Sequence, residues 1–268
     1  MIDTHAHVFH RRLPFSTQRR YTPAYDAWPA TYLGLLDRHG VANGVLVPIS
    51  ILGSDNGFVI DTVQASGGRL KGFATLDPAL GASQVARLAG QGLSGVRLNL
   101  AGQPPLDLKQ GHWPAILREC RRQQWIVEVN DSAARLTKTV MPLLTAGLRV
   151  VLDHFGQPNK LLGVEDPGFA DVCGLAATGQ VWVKLSAPYR IGHAHAATAA
   201  ARLLDAFGPT RLLWASDWPF TGHEKSGIDY GTTCGYLRDW LPNDNDRMQV
   251  AERTPAELFG FALKEASR

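Results

Sequence analysis

Eight short runs of apolar and β-branched residues recur along the chain, at 2–9, 42–49, 70–76, 95–100, 125–130, 149–155, 181–186 and 212–218. Each is nearly unbroken in its hydrophobicity and rich in Val, Ile, Leu or Trp. A strand with one face in water alternates apolar and polar positions. Unbroken runs of this length therefore predict strands buried on both faces. The segments between them carry helical spacing. Tyr32, Leu35 and Leu36 precede Gly40, and Val85, Leu88 and Ala89 precede Gly90. Ile116, Leu117 and Cys120 follow Pro114; Leu136, Val140, Leu143 and Leu144 precede Gly147; Ala200, Leu203, Leu204 and Phe207 precede Gly208. Glycine after a periodic run is the expected helix stop. Strand and helix alternating eight times predict parallel βα units in an α/β fold. Within 268 residues that means one closed (β/α)8 TIM barrel, a single domain over 1–268. A doubly wound open sheet is the other reading, but no Gly-x-Gly-x-x-Gly follows the first strand. Residues 11–29 form a long first loop, and the tail from Asn243 is expected to form a last helix covering the barrel.

Composition narrows the function classes. Apolar residues make up 45% and charged ones 19%, which is material for a large core and argues against disorder. The net charge of +3 gives no reason to expect a nucleic-acid partner, and the pairs Arg11-Arg12 and Arg19-Arg20 read as a solvated loop or a small-anion site. No apolar run approaches the ~18–20 residues of a membrane span. Met1-Ile2-Asp3-Thr4-His5 lacks the cationic start and apolar stretch of a signal peptide. Cys120, Cys173 and Cys234 are odd in number and far apart, so a reducing, cytoplasmic setting is expected. Homo-oligomerisation is left open.

In a barrel of this kind the reactive groups stand at the C-terminal ends of the strands. His5 and His7 close the first run and share a face at a spacing of two. Two such imidazoles can chelate a divalent metal or hydrogen-bond one carbonyl; polar packing inside the barrel is the alternative. His154 ends the sixth run before a glycine turn, and Asp217 ends the eighth. A carboxylate there is expensive to bury without a partner or a task, which makes Asp217 the candidate acid/base. Arg97 in the fourth run and Arg190 after the seventh point to an anionic substrate, or else to internal ion pairs. Glu128 and Asn130 share a face of the fifth run.

Taken in order, Asp3-Thr4-His5-Ala6-His7-Val8-Phe9, Arg20-Tyr21-Thr22-Pro23, Gly95-Val96-Arg97-Leu98-Asn99, Asp153-His154-Phe155-Gly156-Gln157-Pro158 and Ser216-Asp217-Trp218-Pro219 resemble the amidohydrolase superfamily. More narrowly, they resemble its 2-pyrone-4,6-dicarboxylate lactonase-like branch, which belongs to aromatic compound degradation. The resemblance implies a distorted (β/α)8 barrel and a hydrolase that opens a small anionic lactone without an obligatory metal. It implies Asp217 as the base that activates water, and His5, His7 and His154 as groups that polarise the carbonyl and hold the oxyanion. Arg97 and Arg190 would grip substrate carboxylates, and Tyr21 and Ser50 would touch the substrate. Two departures stand out. The dicarboxylate lactonase pattern has a second arginine shortly after the fourth-strand motif, and Ala101-Gly102-Gln103-Pro104-Pro105 has none; an asparagine is also missing from Phe220-Thr221-Gly222-His223-Glu224. A related muconolactone-type substrate with one carboxylate or a sulfonate fits as well. The competing function is a zinc-dependent amidohydrolase or decarboxylase of a small carboxylated substrate, with zinc held by His5, His7, Glu128, His154 and Asp217. Metal-using relatives have a histidine where this chain has Asn130, a poor zinc ligand. A barrel that binds an anionic metabolite without transforming it is the non-enzymatic reading.

Overall fold

Each apolar run becomes a strand, and each strand pairs in parallel with the next. The computed structural model, which describes residues 1–263, contains β1 (Ile2–Ala6), β2 (Asn43–Leu46), β3 (Leu70–Ala74), β4 (Leu93–Asn99), β5 (Ile126–Asn130), β6 (Arg149–Leu152), β7 (Val181–Leu185) and β8 (Leu212–Trp214). They form one 8-stranded sheet in the order of the sequence. The barrel closes just beyond β8, where Asp217 N donates to His5 O at 3.0 Å and His7 N donates to Trp218 O at 2.8 Å. The expected (β/α)8 architecture is therefore present, with β8 shortened to a stub.

Helices fill the intervals: α1 (Pro29–Arg38), α2 (Gly57–Ala65), α3 (Ser83–Gly90), α4 (Trp113–Arg122), α5 (Ala133–Thr145), α6 (Pro167–Gly174), α7 (Pro188–Ile191), α8 (His193–Phe207) and α9 (Tyr230–Trp240). Spacing marked α1, α3, α4, α5 and α8. It missed α2, α6, α7 and α9. The tail from Asn243 runs as α10 (Asp244–Met248), a π turn (Gln249–Arg253) and α11 (Thr254–Phe259). Asn243 caps it by accepting from Asn245 N at 2.8 Å. Behind α11, Ala256, Leu258, Phe259 and Phe261 pack against Ile2, Val45, Phe73, Ile126, Val151 and Leu213. Leu258 and Phe259 border the same hollow as Leu93, Ile126 and Arg149, the first residues of β4, β5 and β6, and Arg149 Nη1 donates to Leu258 O at 3.4 Å, so the tail plugs the N-terminal end of the barrel. Burying one such Leu, Ile or Phe contributes roughly 1.5–3 kcal/mol. The opposite end is left for chemistry.

All strands but β5 stop earlier than their apolar runs, and β1, β2, β6 and β8 do so by three residues or more. β1 was expected to reach residue 9, yet Phe9 leaves the barrel and pairs with Ala27 inside the first loop. β6 and β8 were expected to reach 155 and 218. The chain turns instead through left-handed conformations, with φ of +46° at His154, +58° at Phe155 and +59° at Asp217. Such conformations are disfavoured for side chains and cluster where function requires them.

A register irregularity between Asp3 and Ala6 re-aims β1. Ile2 and His5 both face the barrel interior, while Asp3 faces the helices. There its carboxylate accepts from Tyr32 Oη and Tyr230 Oη at 3.0 Å, Ser216 Oγ at 2.6 Å, Ser216 N at 2.9 Å and His5 N at 3.2 Å. Burial raises its pKa against these donors. Asp3 thus ties α1 and α9 to the β1–β8 seam that carries His5 and Asp217. Each buried donor left without an acceptor costs about 1–3 kcal/mol. Asp3→Ala is therefore expected to lower Tm by roughly 6–12 °C in differential scanning fluorimetry; an unchanged Tm would refute this role for the seam.

The first loop crosses the mouth and is tied down at several points. Arg11 Nε pairs with Asp26 at 3.1 Å, Tyr21 Oη bonds Glu224, and Arg20 Nη1 donates to Ala101 O at 2.6 Å. No helix of the described residues is long and apolar enough to cross a membrane.

Candidate active site

At the C-terminal end of the barrel, three imidazoles converge on one carboxylate oxygen. Asp217 Oδ1 lies 3.5 Å from His5 Nε2, 3.9 Å from His7 Nε2 and 3.9 Å from His154 Nε2. All four residues are buried, and both Asp217 Oδ1 and His5 Nε2 lack a hydrogen-bond partner. Four residues separated by up to 212 positions thus meet around one small polar gap. The other carboxylate oxygen, Oδ2, is saturated. Tyr189 Oη donates to it at 2.5 Å, and Arg190 holds it through Nε at 2.9 Å and Nη2 at 2.8 Å. Burial alone would raise the pKa of Asp217, but Arg190 and the surrounding imidazoles hold it well below the ordinary carboxylate value. Asp217 is anionic, with one oxygen free.

The three rings are held differently. His7 Nδ1 lies 2.8 Å from Val47 O, a pure acceptor, so Nδ1 carries the proton and a neutral His7 turns a lone pair into the gap. Burial, His5 and Arg97 push its pKa well down. His154 Nδ1 lies 2.9 Å from Ser186 Oγ, a hydroxyl that can donate and so leave the proton on Nε2. Burial pushes its pKa to about 3. His5 Nδ1 stands among Glu128 Oε1 at 3.1 Å, Asp153 Oδ1 at 3.3 Å and Lys184 Nζ at 3.0 Å. Burial and Lys184 lower the pKa of His5, yet the two carboxylates outweigh them and raise it.

Beneath the gap lies a layer of buried charge. Lys184, fully buried in β7, bonds Glu128 and lies 3.5 Å from Asp153 Oδ1. Arg97 reaches Asp153 Oδ2 at 2.9 Å and Glu128 Oε1 at 3.4 Å. The register explains one of these pairs, since Arg97 and Glu128 are direct cross-strand partners. Glu128 therefore serves the Nδ1 side of His5, away from the Nε2 gap, and is not among the groups spaced to share an ion. Those groups are His5, His7 and Asp217, or His5, Asp153 and His154. The unpartnered His5 Nε2 and Asp217 Oδ1 fit a divalent cation by donor type and spacing.

Above the gap opens a cavity of about 480 Å3. His7, His154, Tyr21, Ser50, Arg97 and Arg190 all contribute to its wall. Both arginines are, however, largely spent on buried carboxylates. Asn130 joins an amide chain, donating to Asn99 Oδ1 at 2.9 Å and accepting from Gln157 Nε2 at 2.7 Å. Sequence reasoning passed over Asp153, Lys184 and Tyr189. Of these, Lys184 left a signal, a lone charge inside the apolar run Val181-Trp182-Val183-Lys184-Leu185.

The amidohydrolase family model matches residues 2–261, nearly the whole chain. The chain belongs to the amidohydrolase family. Among solved structures, this amidohydrolase is 39% identical to a Pseudomonas putida protein provisionally named a 2-pyrone-4,6-dicarboxylic acid hydrolase, over 98% of both chains with a TM-score of 0.90. It is 33% identical to a probable 2-pyrone-4,6-dicarboxylic acid hydrolase of Acinetobacter baumannii with citric acid bound, over 97% of this chain and 99% of that one, with a TM-score of 0.93. It is also 30% identical to a 4-sulfomuconolactone hydrolase of Rhizobium radiobacter, over 96% of this chain and 89% of the relative.

Proposed function

We propose that this amidohydrolase opens a small anionic lactone of the 2-pyrone-4,6-dicarboxylate or muconolactone type, with Asp217 as the base. The observation that carries this reading is the free Asp217 Oδ1 ringed by three imidazole Nε2 atoms within 3.9 Å. The names of the relatives supply the substrate class.

In this reading a water in the gap gives one proton to Asp217 Oδ1 and points the other at the lone pair of His7 Nε2. The resulting hydroxide adds to the lactone carbonyl carbon. His5 and His154 donate from Nε2 to the oxygen that becomes negative, so His7 orients water rather than holding the oxyanion. Such placed donors are each worth ~100–1000-fold in rate. On collapse the ring C–O bond breaks, and the leaving oxygen takes the proton held by Asp217. Arg97, Arg190, Tyr21 and Ser50 line the substrate's path.

A divalent ion held by His5, His7 and Asp217 would polarise the same carbonyl, and this is the second reading, a zinc-dependent hydrolase or decarboxylase. The lactonase mechanism gives that task to His5 and His154, whose Nε2 atoms donate to the carbonyl oxygen. Assaying a panel of lactones by ring-opening absorbance, with and without chelator, separates the two. Turnover of an anionic lactone that survives chelation is expected. Activity abolished by chelator and restored by Zn2+ would replace the mechanism with the metal-dependent one.

A further inference from the structure

The cavity wall holds four permanent cations, Arg20, Arg97, Lys160 and Arg190, and no carboxylate. The four are not equivalent. Arg97 is bound to Asp153 and Glu128, and Arg190 to Asp217, so their charges are answered from below. Arg20 and Lys160 form no ion pair among the described residues. They are exposed at the mouth, on loops from opposite parts of the chain.

Arg20 is also set in place. Its Nη1 donates to Ala101 O at 2.6 Å, which fixes the guanidinium across the β4–α4 loop. The neighbour Gly102, at φ +68°, makes room for it, because a Cβ there would lie 2.6 Å from Arg20 Nη1. Nε and Nη2 of Arg20 stay free for a ligand. A guanidinium held in advance binds an oxyanion with less ordering on contact, and its fork suits two oxygens at once. Across the mouth, His223 is pushed down in pKa by burial and then by Arg190 and Lys160, so the ring adds no positive charge of its own.

We propose that Arg20 and Lys160 form the subsite for the substrate's outer anionic group, an oxyanion remote from the reacting carbonyl. This rests on the lactonase reading and deepens it: Arg97 and Arg190 answer to the buried carboxylates, whereas Arg20 and Lys160 select the charge of the substrate.

The test uses the full chain and the variants Arg20→Gln, Lys160→Gln and the double variant. The probes are 2-pyrone-4,6-dicarboxylate, 4-sulfomuconolactone and an uncharged lactone. One charge-assisted contact accounts for about 10–100-fold in affinity. Each single variant is expected to raise KM for the anionic lactones about tenfold or more, to change kcat less than threefold, and to leave KM for the uncharged lactone within twofold. The anion, carboxylate or sulfonate, whose KM rises more is the one the subsite fits. Equal changes for charged and uncharged lactones, or none, would overturn the subsite. If the wild-type chain turns over no lactone, the activity reading fails by itself. The subsite is then judged by calorimetric titration with the dicarboxylate: tenfold weaker binding to Arg20→Gln supports it, and unchanged binding overturns it.

Discussion

Asp217→Asn is expected to lower kcat for an anionic lactone by about 100–10,000-fold, the range a placed general base supplies, while the chain still folds. The amide matches the carboxylate in size. Asn also tolerates the left-handed backbone at this position, φ +59°, nearly as well as Asp does. One of its termini can still accept from Tyr189 and Arg190, and the other can donate to the lone pair of His7. What is lost is the second oxygen with its charge, the atom that stands free among the three imidazoles. Asp217→Ala would be the poorer test, because it strains the turn and strands Arg190 beside no anion. Steady-state kinetics and a melting curve on the same preparation decide the matter. A kcat within fivefold of wild type, at an unchanged fold, would remove Asp217 as the base. Loss of KM alone would reassign it to binding.

The barrel was legible because its determinants are local. An apolar run of five to eight residues followed by a glycine-stopped helix repeats in sequence, and the repeat needs no knowledge of what touches what. Strand ends were less legible. In Val151-Leu152-Asp153-His154-Phe155 the polar pair Asp153-His154 breaks the apolar run but Phe155 resumes it, and positive φ falls on His154 and Phe155, residue types that give no sign of it. His5, His7, His154 and Asp217 were readable because polar residues closing apolar strands of a barrel must share its mouth. The role of Glu128 was not. Facing the interior is a property of its own strand, but facing His5 Nδ1 rather than Nε2 depends on β1, β4 and β7 together. Residue type and place in the chain leave Arg97 and Arg190 between gripping an anion and pairing internally, and Arg20 between a solvated loop and an anion site; they cannot tell that Arg97 is tied to Asp153 and Arg20 to no acid. The distinction lies in partners distant in sequence.

Lys184→Met is expected to produce the largest loss of stability of any single change in the site. The ammonium is fully buried between Glu128 and Asp153 and lies 3.0 Å from His5 Nδ1. Met keeps the length and the apolar stem but removes the charge. Two carboxylates then share Arg97 as their one remaining fixed cation, in a place water does not reach. Breaking one member out of a buried ion pair typically costs 3–5 kcal/mol, which for a chain of this size corresponds to a fall in Tm of roughly 6–20 °C. The same reasoning makes a second prediction about sign. Adding Glu128→Gln to Lys184→Met removes the stranded negative charge, so the double variant should be more stable than Lys184→Met alone. Additive losses in that cycle, or a single variant within about 1 kcal/mol of wild type, would show that the charges beneath the site are solvated and independent. Recovery in the double variant would show one network, in which Lys184 and Glu128 answer each other so that the Nδ1 face of His5 is held and its Nε2 face is left to the substrate.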